Sequence, residues 1–153
     1  MSGVGFFDVG TACPDLVIEN GQLKFDLGLE TSVLISFFTD KRASLEQLPI
    51  GHSTRRGWWA DLIAQPSDDQ YGSLAWTFEK TKLNAATAAS FSDALQTSLQ
   101  WMIDDGIADT VVVSSEVIAG EQITLSVEIT KPSGDNIPFK FIWDGQALKI
   151  EGA

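Results

Sequence analysis

The C-terminal half of the chain is dominated by a strict alternation of apolar and polar residues. Apolar side chains occupy every second position in 123–129 and again in 137–143, and a similar run covers 111–116. A period of two places one set of side chains on a buried face of a sheet and the other set in water. Asp144-Gly145 predicts a tight turn before a last short strand that contains Leu148 and Ile150. These runs together predict an antiparallel meander.

The strongest helical pattern lies just before these strands, from about Ala85 to Asp104. Its apolar residues are three or four positions apart, which makes one continuous stripe on a helix. The stripe consists of Ala88, Phe91, Leu95, Leu99 and Met102. Gly106 follows as the residue that ends the helix in the left-handed conformation.

The N-terminal half carries weaker signals. Asn20-Gly21 between two short alternating runs predicts a hairpin with a type I′ turn. Residues 31–38 fit a helix with Thr31 as its N-cap, although their β-branched and aromatic content would also suit a strand; we favour the helix. Pro and Gly interrupt residues 43–70, which predicts a loop, and a short helix is expected near Ser73 to Lys80.

The predicted fold class is α+β. We expect an antiparallel β-meander with one long helix and one or two shorter helices packed on one face. Residues 1–14 are Gly-rich without a clear period and are interpreted as an extended N-terminal arm, which leaves 15–153 as a single domain. A chain of 153 residues can bury a sizeable core without a metal or a disulfide.

Charge narrows the class of partners. The chain has 10 Lys and Arg against 21 Asp and Glu, for a net charge of −11. That balance argues against nucleic acid and against an anionic membrane surface as partners. Hydrophobic residues make up 44% of the chain, so it is not a disordered acidic segment.

Catalytic and metal chemistry find little support in the sequence. Cys13 and His52 are the only residues of their types, so neither a disulfide nor a multi-histidine metal site is expected, and no cofactor motif is present. The N-terminus lacks the basic residues of a signal peptide and no apolar stretch could span a membrane, which predicts a cytoplasmic protein. Paired acids such as Asp68-Asp69 keep one enzymatic alternative open, because two carboxylates roughly 5–10 Å apart can hydrolyse a glycosidic bond.

Two short segments are the candidate partner-binding sites. The first joins two of the ten cations to two of the five tryptophans, residue types that are enriched at interface hot spots. The second puts two acids at the end of the long helix, where the helix dipole is already negative and each is unfavourable by about 0.3–1 kcal/mol. Their residues are Arg55, Arg56, Trp58, Trp59 and Asp61 in the first and Asp104 and Asp105 in the second.

The distribution of charge along the chain supports oriented docking. Six of the ten cations lie between residues 41 and 82, whereas the 48 residues from 83 to 130 contain no Lys or Arg. Unlike charges on two sides of one domain orient it between unlike partners. The edge strands of a meander also expose unpaired backbone groups to which a partner can add a strand.

Several segments, taken in order, resemble the small baseplate proteins of Mu-like contractile-tailed bacteriophages and their prophages. The most specific are Arg55-Arg-Gly-Trp-Trp-Ala-Asp61 and Asp104-Asp-Gly-Ile-Ala108. Weaker similarity lies in 31–43, in Leu48-Pro-Ile and in Gly72-Ser-Leu-Ala-Trp76, so that the resemblance covers roughly 15–145. The layout also resembles the broader family of lysozyme-like baseplate wedge proteins and sheath initiators.

The resemblance implies a structural function without enzymatic activity. It implies a place in the tail baseplate of a virion assembled in the host cytoplasm, contacts with other wedge proteins and with the tail tube or hub, and a β-edge on which tail sheath subunits assemble by strand exchange. In the broader family a Glu-Pro-Arg motif ends the long helix, whereas Asp104-Asp105-Gly106 stands here. The ion pair of that Arg is therefore not carried over. The alternative from another class is a lysozyme-like, cell-wall-degrading glycosidase acting through Asp61, Asp104 or Asp105.

Overall fold

The computed structural model describes residues 3–4, 18–23, 25–26, 29–63, 70–79, 81–118, 122–143 and 148–150. Within the segment predicted to be an arm it describes strand β1 (Gly3–Val4), which pairs with β4 (Phe25–Asp26). Cys13, Asp68-Asp69, Lys80 and the predicted turn at Asp144-Gly145 lie outside the described residues. The division into an arm and one domain stays a prediction.

The C-terminal half forms the predicted meander. Strands β5 (Thr110–Ile118), β6 (Gln122–Thr130), β7 (Asn136–Trp143) and β8 (Leu148–Ile150) pair in that order, each antiparallel to the next. The alternating apolar residues of β6 are fully buried, as the period of two requires. The predicted α+β class and its antiparallel meander are confirmed.

Within the described residues, three α-helices accompany the sheet: α1 (Glu30–Phe38), α2 (Ala85–Ser98) and α3 (Gln100–Asp104). The predicted continuous helix from 85 to 104 is interrupted at Leu99, whose amide donates to Gln96 O at 3.1 Å. Hydroxyls compete for the carbonyls just before the break, since Ser98 Oγ donates to Leu95 O. The apolar stripe nonetheless continues across the break, because Leu99 and Met102 are both fully buried.

The N-terminal half contains shorter elements. Strands β2 (Ile18–Glu19) and β3 (Gln22–Leu23) form the predicted hairpin, and both turn residues, Asn20 and Gly21, have positive φ. The prediction of Thr31 as the N-cap is wrong, because the N-cap of α1 is Leu29, two residues earlier, and it makes no side-chain cap hydrogen bond.

The described parts of the segment between α1 and α2 contain two 3₁₀ helices. One, Ala75–Phe78, occupies the place of the short helix expected near residues 73–80. The other, Trp59–Leu62, falls within the stretch predicted to be loop. No helix among the described residues has the length and apolarity needed to cross a membrane.

Aromatic contacts join the helices to the inner face of the sheet. Phe37 of α1 packs on Phe141 of β7 with ring centroids 5.3 Å apart. Phe91 of α2 stacks on Trp143 at 4.3 Å. The core therefore lies between the sheet and α1 and α2, and it fixes both ends of the chain segment that carries the candidate site.

Candidate docking surface

Backbone pairing holds the segment Arg55–Asp61 against the loop that follows α1. Ala43 N donates to Arg55 O at 3.1 Å, and Arg55 Nε donates to Ala43 O in return. Gly57 has a φ of +113°, and a Cβ there would lie 2.8 Å from Arg42 Cβ. The close approach of the two loops thus depends on a glycine at this position.

Arg56 is engaged within the molecule. Its guanidinium donates to both carboxylate oxygens of Glu79, at 2.9 and 2.8 Å, and to Asp40 Oδ2 at 3.2 Å. It also lies over the ring of Trp76, 4.8 Å from the centroid. The hydrogen bond with Glu79 raises the pKa of Arg56 against the opposing effect of burial, with the charges of Asp40 and Glu79 adding to the rise. Arg56 therefore ties its loop to the segment 70–79.

The residues that follow Arg56 expose an apolar surface. Trp58 is 42% exposed, Trp59 69%, Leu62 79% and Ile63 70%. All four belong to the 3₁₀ helix Trp59–Leu62 or adjoin it. We call them the aromatic face. Clustered large apolar side chains on a surface typically mark an interaction site, whereas single ones need no explanation.

A row of aromatic rings links the aromatic face to helix α3. Trp59 packs on Trp58, Trp58 on Tyr71 and Tyr71 on Trp101, with centroid separations of 6.1, 6.0 and 6.1 Å. Trp101 Nε1 donates to Ser36 Oγ of α1 at 3.1 Å, which anchors the inner end of the row. The row gives the exposed tryptophans a firm base on two helices.

The acidic helix end adjoins this row. Asp104 is the last residue of α3 and Asp105 its C-cap, and both are exposed. Asp105 N donates to Trp101 O at 2.9 Å, so the acids lie one turn beyond the Trp101 ring. Gln100 Nε2 donates to Asp104 Oδ1 at 3.1 Å. The two segments that the sequence indicated separately are connected through two intervening rings, those of Tyr71 and Trp101.

Asp61 has an internal contact. Its Oδ1 accepts a hydrogen bond from Tyr71 N at 3.3 Å, while Oδ2 is buried with no hydrogen-bond partner among the described residues. Asp61 thus holds Tyr71 in the aromatic row. No group of three potential metal ligands occurs in the described part of the chain.

Sequence reasoning missed the residues that organise this surface. Asp40, Glu79 and Trp76, which hold Arg56, are 16 to 23 positions away from it, and no local pattern points to such pairing. Among the aromatic residues, only Trp58 and Trp59 were singled out from the sequence as interface candidates. Tyr71 and Trp101 were therefore missed.

Comparison with known proteins connects this surface to a family. The family model described as Phage protein GP46 matches residues 29–136. The chain is 30% identical over 128 residues to "Baseplate protein gp46" of Escherichia phage Mu, covering 83% of this chain and 86% of that protein. It is 30% identical over 120 residues to "Mu-like prophage FluMu protein gp46" of Haemophilus influenzae, covering 78% and 81%. No solved structure matches the chain significantly. The family match spans α1 to β6 and the whole candidate docking surface, and the chain belongs to the GP46 family of phage proteins.

Proposed function

We propose that the protein is a structural, non-enzymatic component of the baseplate of a contractile phage tail, assembled in the cytoplasm of the host bacterium. Its family membership supports this proposal, as does its similarity over most of its length to a protein named as a baseplate protein. Baseplates are built from many different subunits held by specific contacts. The protein therefore needs a surface that another subunit covers.

The observation that carries the proposal is the exposure of Trp58 and Trp59. Interface cores are enriched in Trp and Arg, which add large contact area and directed hydrogen bonds. The aromatic face is exposed although a row of rings holds it in place, which is the arrangement of a preorganised contact. We propose that another wedge protein binds the aromatic face. Arg55 and Arg56 belong to the same segment, and Arg56 acts by positioning its loop.

Asp104 and Asp105 give the contact its orientation. They are exposed acids at the negative end of a helix, next to the same aromatic row. A cation of the partner would offset the unfavourable interaction of these two carboxylates with the negative end of the helix dipole. It would also add a directed contact. The tail tube or hub is a further possible source of that cation.

Sheath assembly is the second part of the proposal. Strand β5 forms one edge of the sheet over nine residues. Val113 N donates outward to Gln96 Oε1 of α2 at 3.2 Å, so the alternation of an antiparallel ladder points the amides of Ser115 and Val117 outward as well. Helix α2 occupies part of this edge, because Ser115 Oγ also donates to Ser92 Oγ of α2 at 3.4 Å. We assign the remaining end of β5, Val117 and Ile118, to a strand of a sheath subunit.

Two of the three carboxylates named for the glycosidase alternative make hydrogen bonds within the chain. Asp61 accepts from the Tyr71 amide and Asp104 accepts from the Gln100 side chain. A retaining or inverting glycosidase needs two carboxyl groups that face one substrate bond. No observation favours that activity over assembly.

The test compares two double variants with matched exposure. W59S/L62S removes apolar surface from the aromatic face, where the two side chains are 69% and 79% exposed, and I18S/L45S removes it elsewhere, at 68% and 74%. Each is introduced into the phage, and tails are examined by electron microscopy. We expect W59S/L62S to abolish complete baseplates and I18S/L45S to leave them normal.

Normal baseplates with W59S/L62S would refute the assignment of the aromatic face. The sheath step is examined by the same microscopy in phage that carry Val117→Pro, which removes an outward amide at the open end of β5 and keeps the ladder bonds to β6. Baseplates without sheath are the expected product, and full-length sheaths would refute the use of this edge.

A further inference from the structure

A cleft of about 390 Å³ opens between the loop after α1, the segment 70–74 and helix α2. Three of the ten cations of the chain line it, and none of its described lining residues carries a carboxylate. The cations are Lys41, Arg42 and Arg55. We call this the basic cleft. In a chain of net charge −11, a cleft whose described charged residues are all cations is unexpected.

Each of the three cationic residues is tied to a neighbouring segment by hydrogen bonds; Arg42 Nη1 donates to Arg56 O at 3.4 Å. Lys41 N donates to Ser73 O at 2.9 Å, and Trp76 Nε1 donates to Lys41 O at the same distance. Arg55 is fixed by its paired hydrogen bonds with Ala43. The fold therefore fixes the backbone positions from which the three cations line the basic cleft.

The charges of the basic cleft are not neutralised within the described part of the chain. The ion pairs found there join Arg56 to Asp40 and Glu79, and no described carboxylate pairs with Lys41, Arg42 or Arg55. A carboxylate that entered the basic cleft would therefore meet cations that no described carboxylate already pairs with.

A more apolar hollow of about 770 Å³ adjoins the basic cleft, and the two share Gln47, Leu74 and Ala94 as lining residues. Pro49, Ile50 and Phe78 line the hollow. The side chain of Ile50 is fully exposed. Glu79, which also lines the hollow, is already paired with Arg56. The two hollows share part of their wall, and we call the pair a groove with a basic end and an apolar end.

We propose that this groove binds an acidic segment of another protein in extended form, with its carboxylates at Lys41, Arg42 and Arg55 and an apolar side chain against Ile50 and Phe78. Nucleic acid is disfavoured, because it would have to bring many phosphates towards a strongly acidic chain with three available cations. The proposal goes beyond the baseplate function and does not rest on it.

The experiment is an NMR titration of the ¹⁵N-labelled full chain. The probe is a synthetic peptide in which alternating Asp and Glu precede two Leu, and its control has Asn and Gln in place of the acids. The indole Nε1–H of Trp76, bonded to Lys41 O, reports on the basic cleft, and that of Trp59 reports on the aromatic face. We expect the acidic peptide to shift the Trp76 signal, to leave the Trp59 signal unchanged and to bind roughly tenfold tighter than the control.

Two variants with the same loss of charge complete the test. K41Q/R42Q removes cations from the basic cleft, and K82Q/K131Q removes two that do not line it. Circular dichroism verifies that both are folded. K41Q/R42Q should weaken binding roughly tenfold and K82Q/K131Q by less than about twofold.

Three results would overturn the proposal. One is equal binding of the acidic and the amide peptide, and another is equal weakening by the two variants. The third is tighter binding of a single-stranded RNA oligonucleotide, or of inorganic phosphate, than of the acidic peptide. None of these would bear on the aromatic face, whose test reads tail assembly, so the two proposals fail separately.

Discussion

The core and the aromatic face place the same residue types in opposite environments. Trp143 is 4% exposed and stacked on Phe91 between sheet and helix, whereas Trp59 is 69% exposed at the end of a row of rings. Burial of an aromatic side chain in the core stabilises the domain itself. An exposed one adds nothing comparable until a partner covers it. Substitutions should therefore separate stability from assembly.

The largest expected effect on stability comes from the core. Phe91→Ala removes a ring that is 1% exposed and contacts both Trp143 and Phe78. We expect the free energy of unfolding to fall by about 3–5 kcal/mol, because a cavity remains where the ring was. Urea unfolding followed by circular dichroism measures the change.

Trp59→Ser provides the contrasting substitution on the aromatic face. Its effect on the free energy of unfolding should stay within about 0.5 kcal/mol, as for surface substitutions in general. A loss comparable to that of Phe91→Ala would mean that the aromatic face belongs to the core, and the comparison between the two regions would fail.

An intermediate effect, between those of Phe91→Ala and Trp59→Ser, is expected from the ion-pair network that supports the loop of the aromatic face. Arg56→Gln removes the bonds to Glu79 and Asp40 and the contact with Trp76, and should lower the free energy of unfolding by about 1 kcal/mol because the guanidinium is partly solvated. The loss should shrink at high salt, which screens the wild-type pairs. Lys82→Gln, at an exposed cation without an ion pair to a described residue, is the control, and equal effects of the two would show that the network has no stabilising role.

The sequence predicted most of the core but few of the contacts that hold the aromatic face in place. Alternation in 123–129 and 137–143 identified β6 and β7, because burial of one face imposes a period of two on the chain itself. Asn20-Gly21 identified its hairpin, since few residues accept positive φ. The break at Leu99 was missed, because the apolar stripe runs across it without interruption.

The aromatic face depends on contacts between residues that are far apart in the sequence. Arg55–Asp61 and Asp104-Asp105 stood out by composition, but their connection through Tyr71 and Trp101 comes from tertiary packing, which leaves no local period. The engagement of Arg56 by Glu79 could not be deduced for the same reason. Local patterns indicate which face of a helix or strand is buried, but they do not indicate which loops contact each other.

Hydroxyl-radical footprinting of the assembled baseplate, compared with the isolated protein, tests most directly whether a partner covers the aromatic face. Trp58, Trp59 and Leu62 should lose most of their labelling on assembly, by roughly fivefold or more, as expected for residues at the dry centre of an interface. Leu45, which is as exposed as Leu62 in the isolated protein, provides a reference for general shielding. If Trp59 and Leu62 are labelled in the baseplate as strongly as in the isolated protein, the aromatic face is not a docking surface.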